Sequence, residues 1–135
     1  MLIMSVLYLA VAIPFLALDA VWLSIMSQVL YKPVLGDILR GKPNLWAAAV
    51  FYLLYPAGLA FFAVLPSLGK NSLTQAAGTG LLFGFFTYAT YDLTNQATLR
   101  NWSTTLTLAD LAWGSALAAC CSAIAYLVIQ KMFGT

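Results

Sequence analysis

Four long apolar segments constrain the fold of this chain more than any other feature. They cover about residues 3–26, 45–65, 73–97 and 106–133, and each is near the roughly 20 residues that a helix needs to cross a bilayer. The apolar runs are continuous and do not alternate with polar residues, which favours helices over barrel strands. Because the connecting segments are short, consecutive helices should pack as antiparallel neighbours. The sequence predicts an all-α integral membrane protein, one domain over residues 1–135, built as an antiparallel bundle of four transmembrane helices.

Composition excludes an ordinary soluble domain and several kinds of partner. Only 7% of the residues are charged and 63% are hydrophobic, whereas a soluble domain carries about a quarter charged residues. The net charge of +2 comes without a basic run, so no nucleic-acid partner is expected. Histidine is absent, and Cys120 and Cys121 are adjacent, which is not the spacing of a zinc site. We therefore expect no metal and no cofactor, and the lipid bilayer as the main partner.

Basic residues between the segments predict the orientation in the membrane. One side has four of them, Lys32, Arg40, Lys42 and Arg100, and the other has the N-terminus, Lys70 and Lys131. The positive-inside rule then places the first and third connections in the cytoplasm and both termini outside. The first segment is too long for the apolar part of a signal peptide and contains Asp19, so we interpret it as a transmembrane helix.

Small residues mark a helix-packing face on the third and fourth segments. Gly80 and Gly84 are four residues apart, and Gly114 lies on the fourth segment. Small residues at this spacing let membrane helices approach closely. These faces could pack together within one chain or between chains, and we expect a homo-oligomer that uses them.

The third segment becomes polar toward its end and places Asp92, Asn95 and Arg100 within nine residues. Antiparallel alternation brings Asp19 and Asp110 into the same half of the membrane. An ionised aspartate at the centre of a membrane helix costs about 2.5–3.5 kcal/mol, so such residues face the bundle interior. Three aspartates compete for one nearby cation, Arg100. At least one carboxyl group must therefore be protonated, bind a cation, or pair with Asn95 or with hydroxyl groups.

Aromatic residues concentrate in the same half of the membrane. All four tryptophans fall there, with five of the seven tyrosines: Trp22, Trp46, Trp102, Trp113, Tyr31, Tyr52, Tyr55, Tyr88 and Tyr91. An ordinary aromatic belt would occupy both interfaces. We therefore predict an acidic, aromatic-walled cavity that opens toward the cytoplasm. The candidate ligand-, proton- or cation-binding residues are Asp19, Asp92, Asp110, Asn95, Arg100, Tyr88, Tyr91, Tyr52, Trp22, Trp46 and Trp113.

Two structural alternatives stay open for the aspartates. Asp110 is near the start of the fourth helix, where the helix dipole favours a negative charge. Asp19 could serve as a hydrogen-bonded tie between helices, with no role in binding.

Several local motifs resemble a known family. They are the DAVWL sequence at 19–23, FYLLYPAG at 51–58, YATYDLTNQATL at 88–99 and DLAWG at 110–114. With these motifs the chain resembles the bacterial small membrane-protein family catalogued as domain of unknown function 2177, over nearly its whole length. The resemblance implies a four-helix protein of the inner membrane, and it assigns no catalytic residue.

Three functions are compatible with this pattern. The first is a carrier or binding protein for a cation, a proton-coupled solute or an amphipathic molecule such as a lipid, in the acidic cavity. The second is an accessory subunit whose polar cluster only stabilises the bundle or docks a partner. The third is an enzyme that acts on membrane lipid with two aspartates as acid and base, although no residue pattern specifies its chemistry.

Overall fold

Four long helices build the protein. In the computed structural model, which describes residues 1–134, helix α1 is Leu2–Ile38, α2 is Leu45–Gly69, α3 is Leu73–Thr98 and α4 is Thr104–Phe133. Helices α1, α2 and α4 are long and apolar enough to cross a membrane. Helix α3 has 26 residues, but its many polar residues lower its average hydropathy. The predicted all-α, four-helix architecture is confirmed.

Helix α1 is longer than its predicted end at residue 26. It continues through a π-helical turn at Ser27–Tyr31, a short α-helical turn at Lys32–Leu35 and a 3₁₀ turn at Gly36–Ile38. Pro33 lies in the first turn of the Lys32–Leu35 segment, where its missing N–H costs little. Pro33 therefore does not end the helix, which continues to Ile38.

Helix α2 also contains a π turn, at Ala60–Val64, and ends at Gly69. The carbonyl oxygen of Ala63 accepts hydrogen bonds from the hydroxyl groups of Ser67 at 2.7 Å and Thr79 at 3.3 Å. Side-chain hydroxyls of this kind compensate for irregular backbone inside a membrane helix.

The bundle is closed at one end and open at the other. Toward the end that carries the N-terminus and the end of α4, buried residues from all four helices form one core, for example Leu7, Val64, Ala76 and Ile129. At the opposite end, the Leu45–Leu59 part of α2 packs mainly against α1, and α2 contacts α3 chiefly through Ala60–Val64. We call the end with the α1–α2 and α3–α4 connections the open end.

Helices α3 and α4 pack along a seam of small residues. A Cβ atom added to Gly84 would lie 2.2 Å from the carbonyl oxygen of Gly114, and one added to Gly80 would lie 2.4 Å from Ser122 Oγ. A Cβ atom on Gly114 would lie 2.2 Å from the ring of Tyr88. The glycines therefore allow α3 and α4 of the same chain to touch. The seam is filled within the chain, so a homo-oligomer would need a different surface.

Candidate functional site

A partly open cavity of about 710 Å³ lies near the open end, between the first part of α2 and the other helices. Its walls are mostly aromatic, with Trp22, Tyr31, Phe51, Tyr52, Tyr55, Tyr88, Tyr91, Trp102 and Trp113. Asp19 and Asp110 are the acidic residues of the lining. The separation of α2 from α3 at the open end provides this space.

Asp19 is held by donors from two other helices. Its Oδ2 atom accepts a hydrogen bond of 2.5 Å from the Tyr52 hydroxyl on α2, and its Oδ1 atom accepts one of 3.0 Å from the Trp113 indole on α4. The side chain is 5% exposed. Hydrogen bonds to an ionised acceptor are stronger than neutral ones, so this pair of donors suits a charged carboxylate.

Asp110 has a donor from the π turn of α1. The Tyr31 hydroxyl donates to Asp110 Oδ1, and Trp22 Nε1 donates to the Tyr31 oxygen at 2.8 Å. π turns often occur at functional sites because they change the direction of a side chain. Here the turn at Ser27–Tyr31 returns the tyrosine to the bundle, where it reaches α4.

Two stacked indole rings connect the surroundings of Asp19 with those of Asp110. Trp22 and Trp113 are stacked with centroids 4.6 Å apart and planes 5° from parallel. One ring donates to Asp19 and the other to Tyr31, the partner of Asp110. The stack therefore connects the surroundings of Asp19 and Asp110 within the cavity wall.

Asp92 lies behind the cavity, on the seam between α3 and α4. Along this seam Gly84 meets Gly114, and Gln96 Oε1 accepts a hydrogen bond of 2.7 Å from Thr107. Asp92 lies between these contacts, at the level of Asp110 on the facing helix. Its side chain is 0% exposed, and neither carboxyl oxygen has a hydrogen-bond partner among residues 1–134. A buried carboxylate without a donor is costly.

The basic residues lie outside this cluster. All six Lys and Arg side chains are exposed, and none lines the cavity. Arg100 is in the α3–α4 connection, so the expected competition of three aspartates for this cation is not seen in the described residues. Within residues 1–134, no three acidic, Cys or His side chains converge as a metal site.

The structure does not bring every candidate residue into the cavity. Trp46 is 79% exposed and does not line it. Asn95 is half-buried beyond the lining. Tyr91 does line the cavity, with its ring 5.6 Å from that of Trp102 in an edge-to-face arrangement.

Sequence comparison agrees with these spans. The model of the family described as "Predicted membrane protein (DUF2177)" matches residues 4–127. The chain belongs to the DUF2177 family. The match includes all three buried aspartates and nearly the whole of each helix. No curated protein and no solved structure matches this DUF2177 chain.

Some cavity residues of the DUF2177 protein were not among the predicted binding residues. Tyr31, Tyr55, Trp102, Phe51 and Thr87 all contribute to the lining. The hydroxyl groups of Tyr55 and Thr87 are 2.9 Å apart. The one-sided distribution of aromatic residues was a usable signal for the first three. Phe51 and Thr87 gave none, because apolar and hydroxyl residues are common on every face of these helices.

Proposed function

We propose that this protein binds an organic cation in the aromatic cavity at its open end and acts as a carrier or binding protein for it. The observation that carries the proposal is an acidic cavity with aromatic walls that no Lys or Arg side chain lines. Two carboxyl groups, Asp19 and Asp110, would balance the charge of the ligand.

Aromatic walls suit a cation of this kind. Each favourable contact between a cation and an aromatic face contributes about 0.5–2 kcal/mol, and indole is the strongest partner. The stacked pair Trp22 and Trp113 lies beside both carboxyl groups. A ligand cation over the outer face of this stack would interact with an indole ring and with the carboxylates beside it.

The lining also suits a ligand with an apolar part. Leu23 of α1, Leu39 just after α1 and Phe51 of α2 line the cavity and are partly exposed. The apolar part of an amphipathic cation would lie against these side chains and against lipid. This supports a lipophilic organic cation as the ligand class.

The distribution of basic residues supports one orientation of the cavity in the membrane. Four basic residues lie at the open end, Lys32, Arg40, Lys42 and Arg100, while Lys70, Lys131 and the N-terminus lie at the closed end. By the positive-inside rule, the cavity would open to the cytoplasm of a bacterial inner membrane.

Two probe ions of nearly equal shape and opposite charge test the proposal. Equilibrium binding of tetraphenylphosphonium and of tetraphenylborate is measured on the purified protein in detergent. We expect wild type to prefer tetraphenylphosphonium by at least tenfold. Asp19→Asn combined with Asp110→Asn should remove this preference, whereas Asp37→Asn, at an exposed aspartate outside the cavity, should keep it. Equal affinity of wild type for both ions would overturn the proposal.

The second candidate function is a structural subunit, and the position of Asp19 favours it. This carboxyl group ties α1 to α2 through Tyr52 and to α4 through Trp113. In that case neither probe ion binds, and Asp19→Asn lowers the thermal stability of the protein without changing any binding property.

A further inference from the structure

We infer that Asp92 and Asp110 together hold one proton, and that the proton leaves when a cation occupies the cavity. The site would thus exchange a proton for an organic cation. The inference rests on the proposed function and names the proton as the ion that is exchanged for the ligand.

The first argument comes from the isolation of Asp92. The carboxyl group is fully buried, and neither oxygen has a donor among residues 1–134. Asp110 lies at the same level on the facing helix, because the Gly84–Gly114 and Gln96–Thr107 contacts of the α3–α4 seam lie on either side of both aspartates. Two facing carboxylates repel each other, but one shared proton gives Asp92 a hydrogen-bonded neighbour and leaves the pair with a single charge.

The second argument comes from the position of Asp110. This residue belongs both to the pair and to the cavity wall. Tyr31 donates to its Oδ1 atom. A cation in the cavity would therefore act on the pair through Asp110, while Asp92 stays buried behind it.

No basic side chain lies beside the pair to offset its negative charge. The titratable groups nearest the pair are Tyr31 of α1, which donates to Asp110, and Asp19, Tyr88 and Tyr91, which line the same cavity as Asp110. Tyr52 of α2 acts on the pair through Asp19, to which it donates. None of these groups carries a positive charge, so only a proton or a bound cation can offset the negative charge of the pair.

The exchange balances in charge. In the resting protein one carboxyl group is neutral and the other is ionised, with the proton between them. When a monovalent cation enters, the O–H bond breaks, both groups become carboxylates, and the proton passes to water in the cavity. The positive charge of the ligand replaces that of the proton, so the site keeps its net charge.

Infrared spectroscopy tests the proton pair without any ligand. In wild type at neutral pH we expect the carbonyl band of a protonated carboxyl group. Asp92→Asn should remove this band, because the Asn amide can donate to Asp110 and leave it ionised. Asp37→Asn, at an exposed site, should keep it. The absence of the band in wild type, or its persistence in Asp92→Asn, would overturn the inference.

Calorimetry tests the exchange. Tetraphenylphosphonium is titrated into wild type in two buffers with different ionisation enthalpies, which gives the number of protons released. We expect about one proton released per bound ion. As the pH rises through the range in which the pair is protonated, the Kd for tetraphenylphosphonium should fall about tenfold per pH unit. Asp92→Asn should bind the ion without releasing a proton.

The outcomes separate the two proposals. Binding to wild type with no proton release, and with a Kd independent of pH, overturns the exchange and leaves the proposed function standing. No binding of tetraphenylphosphonium overturns the proposed function and the exchange together, and the infrared band then decides whether the proton pair exists.

Discussion

The buried aspartates differ in what surrounds each carboxyl group. Asp19 accepts from a phenol and an indole, Asp110 accepts from Tyr31, and Asp92 has no donor among the described residues. Environments of this kind assign different protonation states to chemically identical groups. We expect Asp92 and Asp110 to share a proton, whereas Asp19, with two donors of its own, takes no part in that pair.

Removal of the hydroxyl group that holds Asp19 should destabilise the protein. Tyr52→Phe leaves Asp19 Oδ2 without its donor, and the expected loss is about 1–2 kcal/mol of unfolding free energy, since a buried carboxyl oxygen then lacks its partner. Tyr8→Phe is the matched control, because its hydroxyl donates to a neutral carbonyl, that of Leu53. Unfolding titrations in mixed detergent measure both variants. Equal losses would contradict a stronger hydrogen bond at Asp19 than at the Leu53 carbonyl.

The two tryptophans Trp113 and Trp46 should differ in their effect on binding. Trp113→Leu removes both the stacked ring and the donor to Asp19, so tetraphenylphosphonium affinity should fall at least about tenfold, or about 1.4 kcal/mol. Trp46→Leu, at an exposed ring outside the cavity, should change it less than twofold. Fluorescence titration with tetraphenylphosphonium measures the affinity of each variant relative to wild type. A larger effect at Trp46 would place the ligand elsewhere.

At the level of the helices, the seam between α3 and α4 positions the proton pair. Its glycines bring the two backbones into contact, and the same spacing places Asp92 opposite Asp110. A change in the distance between these helices would therefore change the pair as well as the packing.

Two alanine substitutions on the same helix test this packing. Gly84→Ala puts a methyl group 2.2 Å from a backbone oxygen of α4 and should cost about 1–3 kcal/mol of stability. Gly78→Ala meets no atom within 4 Å and should be neutral or stabilise the helix by up to about 1 kcal/mol. Thermal unfolding of both variants compares them. A stable Gly84→Ala variant would contradict the close contact of α3 and α4.

The sequence predicted these helices better than it predicted their irregular turns. Apolar length and short connections were enough for four helices and for their antiparallel order. The π turn at Ser27–Tyr31 could not be predicted, and neither could the contact of Tyr31 with Asp110, which is 79 residues away in the chain. Likewise the sequence placed three aspartates at one depth, but only the packing shows that Asp92 lies behind the cavity and that Arg100 lies outside it.

For the whole molecule, one end of the bundle is a closed core and the other contains the cavity. Hydrogen bonds between segments also stabilise the closed end. Tyr126 and Gln130 of α4 both donate to Asn71, in the connection between α2 and α3. Helix α2 is thus fixed at its end and separated from α3 at its beginning. Such a bundle leaves room for a ligand without losing its apolar core.

The proposed orientation can be measured by labelling of introduced cysteines. Gly41→Cys, at the open end, should react with a membrane-impermeant maleimide only in inverted vesicles of a bacterial host. Lys70→Cys, at the closed end, should react in spheroplasts, and both positions are exposed. The native Cys120 and Cys121 lie within α4 and are replaced by alanine in this background. The reverse labelling pattern would show that the cavity opens to the outside.

The central claim, that an organic cation binds between Asp19, Asp110 and the stacked tryptophans, is tested most directly by locating a bound ion. Tetraphenylarsonium has the shape and charge of the phosphonium probe and contains an anomalous scatterer. Crystals of the wild-type protein grown with it should show one arsenic peak inside the cavity, beside Trp113 and within reach of both carboxyl groups. A cavity without a peak, or a peak only on the lipid-facing surface, would contradict the proposed site.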